Sequence, residues 1–241
     1  MRWLVSSVFA LLALSVPSLS AATLVKNGTF GGLTVNYKVL LPDAYDAAQS
    51  YPVILAFGGG EQSMQLVDIG LNRYWGGEAR RRHYVVVSPA APVGELLYRG
   101  AAKIFPEFLD MVVRDYKPEG GRMHAAGYSN GGITAFYVAS NYPAYFWSVT
   151  GLPGILNDAD DAKIDALKSI CIDMYVGGND LDWRDGMARQ FALFQRKGYT
   201  ARFRVEENQS HVLTLSPEDI SSLFDHLDAA AKKGCGKGAK Q

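Results

Sequence analysis

The chain has 241 residues, and its 24 lysine and arginine residues balance 24 aspartate and glutamate residues, which leaves a formal net charge of zero. This balance excludes the strongly basic surfaces that steer proteins toward nucleic acids or anionic membranes, so we expect no nucleic-acid partner. Once a leader segment is set aside, the remaining length suits one domain with a single sheet core.

The N-terminal segment has the features of a secretory signal peptide. Arg2 supplies a basic start, residues 4–14 are apolar, and small residues follow as far as Ala22. The apolar stretch is too short to span a bilayer comfortably, although a non-cleaved anchor is the alternative interpretation. We therefore predict a signal peptide at residues 1–22 and a secreted or periplasmic protein without stable membrane insertion after cleavage.

Beyond the signal peptide, apolar runs typical of buried strands alternate with segments of helical periodicity. The predicted strands are residues 34–41, 51–56, 84–88, 122–126, 146–150, 171–176 and 201–205. The predicted helices are residues 71–82, 101–116, 133–141, 162–168, 183–196 and 217–232. This alternation predicts an α/β fold, with a mostly parallel central sheet covered by helices on both faces. We assign residues 23–232 to this domain and residues 233–241 to a C-terminal tail.

The most informative motif is Gly127-Tyr128-Ser129-Asn130-Gly131, which lies between a predicted strand and a predicted helix. A serine on such a tight turn is exposed above the sheet, and the helix that follows directs its N-terminal amides toward developing negative charge. The motif therefore predicts Ser129 as a nucleophile. The alternative interpretation is an ordinary glycine-rich turn.

A nucleophilic serine needs a histidine as base and a carboxylate that orients the histidine. In the fold that this motif indicates, the expected chain order is Ser, then Asp or Glu, then His. Downstream of Ser129 there are two histidines. We interpret His226 as a residue of a helix surface, because it lies in a segment of helical periodicity. His211 lies in a polar loop after the predicted strand 201–205, which is where a catalytic histidine is delivered. His211 is therefore the predicted base.

The candidate acids follow or lie within the predicted strand 171–176. Asp180 comes after the two glycines that end this strand, and it is our choice for the triad acid. Asp182 is close enough to compete, with the alternative role of N-cap for a helix that begins near Trp183. Asp173 lies inside the strand and is the least favoured of the three.

Acyl transfer also needs amides that stabilise an oxyanion. The backbone amide of Asn130 follows the nucleophile directly. The second donor is expected in the loop after strand 51–56, which reads Phe57-Gly58-Gly59-Gly60. We favour the amide of Gly59, with Gly58 as the alternative, and a merely flexible loop is the competing interpretation.

Two cysteines, Cys171 and Cys235, lie in the exported portion. Export permits disulfides and an even count leaves no orphan, so we predict a possible bridge, with two unpaired thiols as the alternative. Neither cysteine has the spacing of a metal site and the histidines are scattered. We expect no metal and no cofactor.

Together these residues resemble the α/β-hydrolase superfamily. The chain is most similar to small secreted esterases grouped with polyhydroxybutyrate depolymerases and feruloyl or acetylxylan esterases. The resemblance runs from residues 37–42 through the glycine loop and Ser129 to His211. One departure is Phe57, because such proteins usually carry a histidine before the glycines.

The resemblance also implies that a lid can be inserted between Thr150 and Cys171, where this chain has only a short segment. We therefore expect no large lid domain and an open, shallow cleft. Tyr128 and Trp183 are candidates for an aromatic, substrate-binding wall of that cleft, although ordinary core packing is the interpretation we favour.

The sequence predicts an exported serine hydrolase that cleaves a small-molecule or polymeric carboxylic ester through an acyl-enzyme. The alternatives are an acyltransferase to an envelope sugar or lipid, and a non-catalytic binding module on a hydrolase scaffold. The acyl and alcohol groups and the oligomeric state stay open.

Overall fold

A computed structural model describes residues 22–235 of the chain. The predicted signal peptide, apart from Ala22, and residues 236–241 of the predicted tail lie outside the described residues. Within the described part, no helix combines the length and the apolar character that crossing a bilayer requires.

Eight strands form one sheet in the order β1-β2-β4-β3-β5-β6-β7-β8. The strands are β1 (Thr23–Phe30), β2 (Leu33–Leu40), β3 (Val53–Phe57), β4 (Val85–Pro89), β5 (Met123–Gly127), β6 (Phe146–Gly151), β7 (Cys171–Gly177) and β8 (Ala201–Glu206). The pairs β1–β2 and β2–β4 are antiparallel, whereas every pair from β4 to β8 is parallel. The predicted mostly parallel sheet is therefore confirmed.

Seven α-helices of the described residues cover both faces of the sheet; six lie between strands in the chain and the seventh follows β8. They are α1 (Met64–Gly70), α2 (Gly76–Arg81), α3 (Phe105–Tyr116), α4 (Asn130–Asn141), α5 (Asp161–Ala166), α6 (Leu181–Arg196) and α7 (Pro217–Lys233). Side chains from α3, α4 and α6 pack in one apolar core, and those from α1, α2 and α7 pack in a second.

Strand β3 shows how the sequence supplies both cores. Val53, Leu55 and Phe57 point into the first core, and Ile54 and Ala56 point into the second. Successive side chains of a strand point to opposite faces, so a central strand that is covered on both sides must be apolar throughout. All five residues of β3 are accordingly buried.

Most predicted elements match the structure to within a few residues at each end, and three differences need explanation. The sequence analysis missed β1, whose edge position leaves it mostly exposed and without a continuous apolar run. The predicted helix 71–82 in fact begins at Met64, where the Ser63 side chain caps the amide of Leu66, and a π-helical turn at Leu71–Trp75 interrupts it. Helix α7 extends one residue into the predicted tail and ends at Lys233.

Cys171 and Cys235 form a disulfide, with their Cα atoms 5.2 Å apart. The bond joins the first residue of β7 to the segment that follows α7. The two cysteines are 64 residues apart in the sequence, and a cross-link of this kind stabilises a fold chiefly by restricting the unfolded chain.

Candidate active site

Ser129 lies on the turn between β5 and α4, in a backbone conformation that non-glycine residues rarely adopt. Its φ is 56° and its ψ is −123°. Left-handed φ values of this kind cost free energy and persist only where the surroundings impose them. The Ser129 amide donates to the carbonyl of Pro153 at 2.9 Å, which helps to hold the turn in place.

The two glycines of the motif are required by close packing of the backbone. A Cβ atom on Gly127 would lie 2.2 Å from the carbonyl oxygen of Gly131, and one on Gly131 would lie 2.2 Å from the carbonyl oxygen of Phe57. Any side chain at these positions would force β5, α4 and the loop after β3 apart. The spacing of the motif therefore reflects the contact between these three segments.

The structure brings Ser129, His211 and Asp180 together. The Oγ of Ser129 lies 2.9 Å from Nε2 of His211, and Nδ1 of His211 lies 2.7 Å from Oδ2 of Asp180. Both separations are within hydrogen-bond range. The imidazole can thus accept the serine proton at one nitrogen while the carboxylate fixes its tautomer at the other.

The loops that carry Asp180 and His211 are hydrogen-bonded to each other. The Asn179 amide donates to the Gln209 carbonyl at 2.9 Å, and the Gly178 amide donates to the Glu206 carbonyl at 2.8 Å. The Gln209 side chain in turn bonds both backbone groups of Thr214. These contacts hold the Asp180 carboxylate and the His211 imidazole at a fixed position relative to each other, although neither residue belongs to a helix or a strand.

Neither competing acid joins this arrangement. Asp182 lies in the first turn of α6 and is exposed, and because α6 begins at Leu181 the predicted N-cap role of Asp182 is wrong. Asp180 occupies the N-cap position instead, with no capping hydrogen bond from its side chain. Asp173 is buried inside β7, where Arg202 binds its carboxylate at 2.8 Å.

The prediction that His226 lies on a helix surface is wrong about its surroundings. The ring is on α7, but its Nδ1 is buried without a hydrogen-bond partner and lies 4.0 Å from the Asp173 carboxylate. Burial, with a further contribution from the nearby Arg202, lowers the pKa of His226 to about 4. His226 is therefore neutral at neutral pH and takes no part in the group around Ser129.

The candidate oxyanion donors lie on either side of the serine turn. Asn130 is the first residue of α4, and its side chain donates to the Gly60 carbonyl at 2.8 Å. Gly59 packs against the ring of Tyr128, because a Cβ atom on Gly59 would lie 2.6 Å from Cε2 of that ring. The loop after β3 is thus tied directly to the turn that carries Ser129, and the amides of Gly59 and Gly58 both stay candidates for the second donor.

The two aromatic candidates have different surroundings. Tyr128 is buried in the second core, where its hydroxyl donates to the Leu66 carbonyl at 2.8 Å, so core packing accounts for it. The ring of Trp183 lies 5.4 Å from the ring of His211, centroid to centroid, and is half-buried. Of the two candidates, only Trp183 has its ring next to that of His211.

The cleft is open. The side chain of His211 is 38% exposed, and the segment between β6 and β7 contains only α5 and one short 3₁₀ turn. Within residues 22–235, no three histidine, cysteine, aspartate or glutamate side chains come together as metal ligands would.

Sequence reasoning missed three polar residues that hold this region together: Gln62, Tyr98 and Thr134. Tyr98 donates to the Asn130 side chain at 3.2 Å, and Thr134 donates to the Asn130 carbonyl at 2.9 Å. No motif marks these residues, because each acts through a contact with a distant part of the chain. The one nearby pattern is the run of three glycines, which ends two residues before Gln62.

No protein-family model and no curated protein matches the chain. Solved structures do match. The chain is similar to a ferulic acid esterase, with 17% identity, a TM-score of 0.68, and coverage of 88% of this chain and 98% of that one. It is also similar to the feruloyl esterase module from Clostridium thermocellum, with 15% identity, a TM-score of 0.64, and coverage of 88% and 87%.

A third similar structure is an S-formylglutathione hydrolase from Agrobacterium tumefaciens, with 16% identity, a TM-score of 0.60, and coverage of 90% of this chain and 99% of that one. Likeness at these identities establishes a fold, whereas activity has to be argued from the site. The chain has the α/β-hydrolase fold.

Proposed function

We propose that the protein is a serine hydrolase of carboxylic esters that works through an acyl-enzyme. The observation that carries this proposal is the continuous hydrogen-bonded series from Ser129 through His211 to Asp180, assembled from three separate loops. Ser129 adopts a strained backbone conformation to take part in this series. Strain of this kind costs stability, so the series is better explained by a catalytic role than by a structural one.

In the proposed reaction, His211 takes the Ser129 proton as the Oγ attacks the ester carbonyl carbon. The amide of Asn130 and that of Gly59, or alternatively Gly58, stabilise the resulting oxyanion. His211 then gives its proton to the departing alcohol, which leaves an acyl group on Ser129. A water molecule, deprotonated by His211, attacks this acyl group and releases the acid and the free serine.

The similar structures support an ester as the substrate. They include a ferulic acid esterase and a feruloyl esterase module that was complexed with sinapinate. The open cleft is compatible with a small ester or a polymeric one, because nothing large covers the serine in the described part of the chain. No observation favours acyl transfer or a purely binding role over hydrolysis.

We also propose that the mature protein is exported after removal of residues 1–22, with residues 23–232 as the hydrolase domain and a short tail behind it. The Cys171–Cys235 disulfide supports this proposal, because disulfides persist mainly in oxidising compartments. Detection of the mature N-terminus in a secreted or periplasmic fraction tests it, and a full-length chain retained with the cells contradicts it.

The test of the hydrolase proposal is labelling with a fluorophosphonate probe and hydrolysis of a short-chain p-nitrophenyl ester. Ser129→Ala is expected to abolish labelling and to lower kcat by about 10⁵-fold or more, because the nucleophile is gone. Ser169→Ala, which removes an exposed serine outside the site, serves as the matched control and should label like the wild type. A folded wild type that neither labels nor hydrolyses esters would contradict the proposal.

A further inference from the structure

Gln62 is a fully buried polar residue in the segment that follows Gly58, Gly59 and Gly60, with 0% of its surface exposed. Its φ of 57° is in the left-handed region that favours glycine. Burial of an amide is costly unless its groups are hydrogen-bonded, and the strained backbone adds to that cost. Both features indicate that surrounding contacts hold this residue in place.

The hydrogen bonds of Gln62 satisfy its side chain and its backbone. Its Nε2 donates to the Gly58 carbonyl at 3.2 Å and to Oγ1 of Thr134 at 3.0 Å, and its Oε1 accepts from the Leu97 amide at 2.9 Å. Its backbone amide donates to the Gly59 carbonyl at 2.8 Å, and its carbonyl accepts from the Ala91 amide at 2.9 Å. One residue thus connects the loop after β3, the loop after β4 and helix α4.

These contacts determine which way the glycine loop presents its amides. In a trans peptide the C=O and the following N–H point in opposite directions. Gln62 holds the carbonyls of Gly58 and Gly59, and the Asn130 side chain holds that of Gly60. With the Gly58 carbonyl directed at Gln62, the Gly59 N–H must point to the opposite side of the same peptide plane.

Glycines do not hold a peptide plane by themselves, because they have no side chain that restricts φ and ψ. The glycine run needs partners beyond its own three residues, and Gln62 is that partner for two of the three glycine carbonyls. The same side chain reaches the serine turn, because Thr134 passes a hydrogen bond to the Asn130 carbonyl at 2.9 Å. Gln62 therefore couples the loop after β3 to the residue next to the nucleophile.

We propose that Gln62 is a positioning residue of the oxyanion site, which fixes the Gly58–Gly59 peptide plane relative to Ser129 so that the Gly59 amide can stabilise the oxyanion. This inference rests on the proposed ester hydrolysis. Gln62 does not touch the substrate, and it acts through the backbone that does. Its removal should weaken binding of the tetrahedral state more than binding of the ester itself, since the hole is needed fully only when negative charge develops.

The test compares Gln62→Met with Gln190→Met. Gln62→Met keeps the length of the side chain and removes its three side-chain hydrogen bonds, while the backbone bonds to Gly59 and Ala91 stay. Gln190 is the matched control, because its side chain also bonds two backbone groups of one loop, the amide and the carbonyl of Leu156, but not the loop after β3. The measurements are kcat and KM for a p-nitrophenyl ester, inhibition by an alkyl trifluoromethyl ketone, which forms a tetrahedral adduct with the serine, and thermal unfolding.

For Gln62→Met we expect kcat to fall about 10- to 100-fold with KM changed by less than about threefold. A misplaced donor amide can lower the rate by as much as the removal of that donor. The inhibition constant of the trifluoromethyl ketone should rise in the same proportion. Gln190→Met should lower the unfolding temperature without a comparable change in either kinetic quantity. A purely structural role for Gln62 predicts that the two variants behave alike.

Thr134→Val supplies a second, less disruptive variant, and it decides the matter if Gln62→Met does not fold. It removes the two hydrogen bonds of the Thr134 hydroxyl, which accepts from Gln62 and donates to the Asn130 carbonyl, and it leaves the bonds of Gln62 to Gly58 and Leu97. We expect a smaller fall in kcat that again matches the loss of inhibitor affinity. Folded variants with kcat and inhibition within about threefold of the wild type would overturn the positioning role. Such a result leaves the hydrolase proposal intact, whereas a wild type without labelling or hydrolysis removes both.

Discussion

Two aspartate–histidine pairs involve β7, one just beyond its carboxyl end and one inside it. Asp180 and His211 are 2.7 Å apart, in loops, with the histidine 38% exposed and hydrogen-bonded onward to Ser129. Asp173 and His226 are 4.0 Å apart, and the aspartate is buried against Arg202. The residue types are the same, but the surroundings assign them opposite roles.

The difference arises from what else each aspartate can bind. Arg202 takes the carboxylate of Asp173, while burial raises the pKa of Asp173 and lowers that of His226 to about 4. A neutral histidine beside an arginine-bound carboxylate is part of the packing between the sheet and α7. Among residues 22–235, no lysine or arginine side chain bonds the Asp180 carboxylate, which instead orients the imidazole of His211.

The largest expected effect comes from removing each histidine in turn. His211→Ala should lower kcat for ester hydrolysis by about 10⁵- to 10⁶-fold, because the serine loses its base. His226→Ala should leave the kcat of the folded protein within about threefold of the wild type. Steady-state kinetics on the two purified variants check this, and a comparable loss in both would show that the two pairs are not distinct.

The choice of acid gives the next largest effect. Asp180→Asn should lower kcat by about 10⁴-fold, because the amide no longer stabilises the imidazolium or its required tautomer. The matched control is Asp182→Asn, two residues further along and exposed, which should have little effect. If Asp182→Asn proved the more damaging of the two, Asp180 would not be the orienting acid.

Removing Arg202 from the Asp173–His226 pair should lower the stability of the protein and leave catalysis unchanged. Arg202→Met leaves the buried Asp173 carboxylate without its main partner, and we expect the free energy of unfolding to fall by about 1–3 kcal/mol. The value is below that of a fully buried pair because the Arg202 side chain is 48% exposed. Urea denaturation measures it, with the exposed Arg189→Met as control. An unchanged unfolding midpoint would contradict it.

The smallest expected effect is a difference in pH dependence. The folded pKa of His226, about 4, lies below the unfolded value of about 6.5, so between these values the unfolded chain binds more protons. This histidine therefore lowers stability as the pH falls from 6.5 toward 4. Thermal unfolding from pH 7 to pH 4.5 should show a shallower decline for His226→Gln than for the wild type. Parallel curves would show that the ring is not buried as described.

Much of the candidate site could be predicted from local patterns. The nucleophile motif needs a strand, a tight turn and a helix in sequence, and these leave glycines and an apolar run at fixed spacing. Asp180 and His211 each follow a predicted strand in a polar or glycine-containing loop. Parallel strands bring their carboxyl ends to one edge, so three separate loops could be expected to meet there.

Other features depended on contacts that leave no local pattern. Gln62 and Thr134 are 72 residues apart, and neither has a sequence signature for the hydrogen bond that joins them. The surroundings of His226 were mistaken because helical periodicity identifies the apolar face but not a partly buried polar side chain beside it. Strand β1 was missed because an exposed edge strand does not need an apolar run.

By itself, the sequence determined the order of seven of the eight described strands and of most helices. It also determined the position of the serine on its turn and the two loops that supply its partners, because each depends on turn geometry and burial along a short segment. Only the tertiary structure decided which aspartate faces which histidine and which residue orients the glycine loop. Those outcomes depend on contacts between side chains that are distant in sequence. Distance, burial and the presence of a cation such as Arg202 decide which of these contacts form.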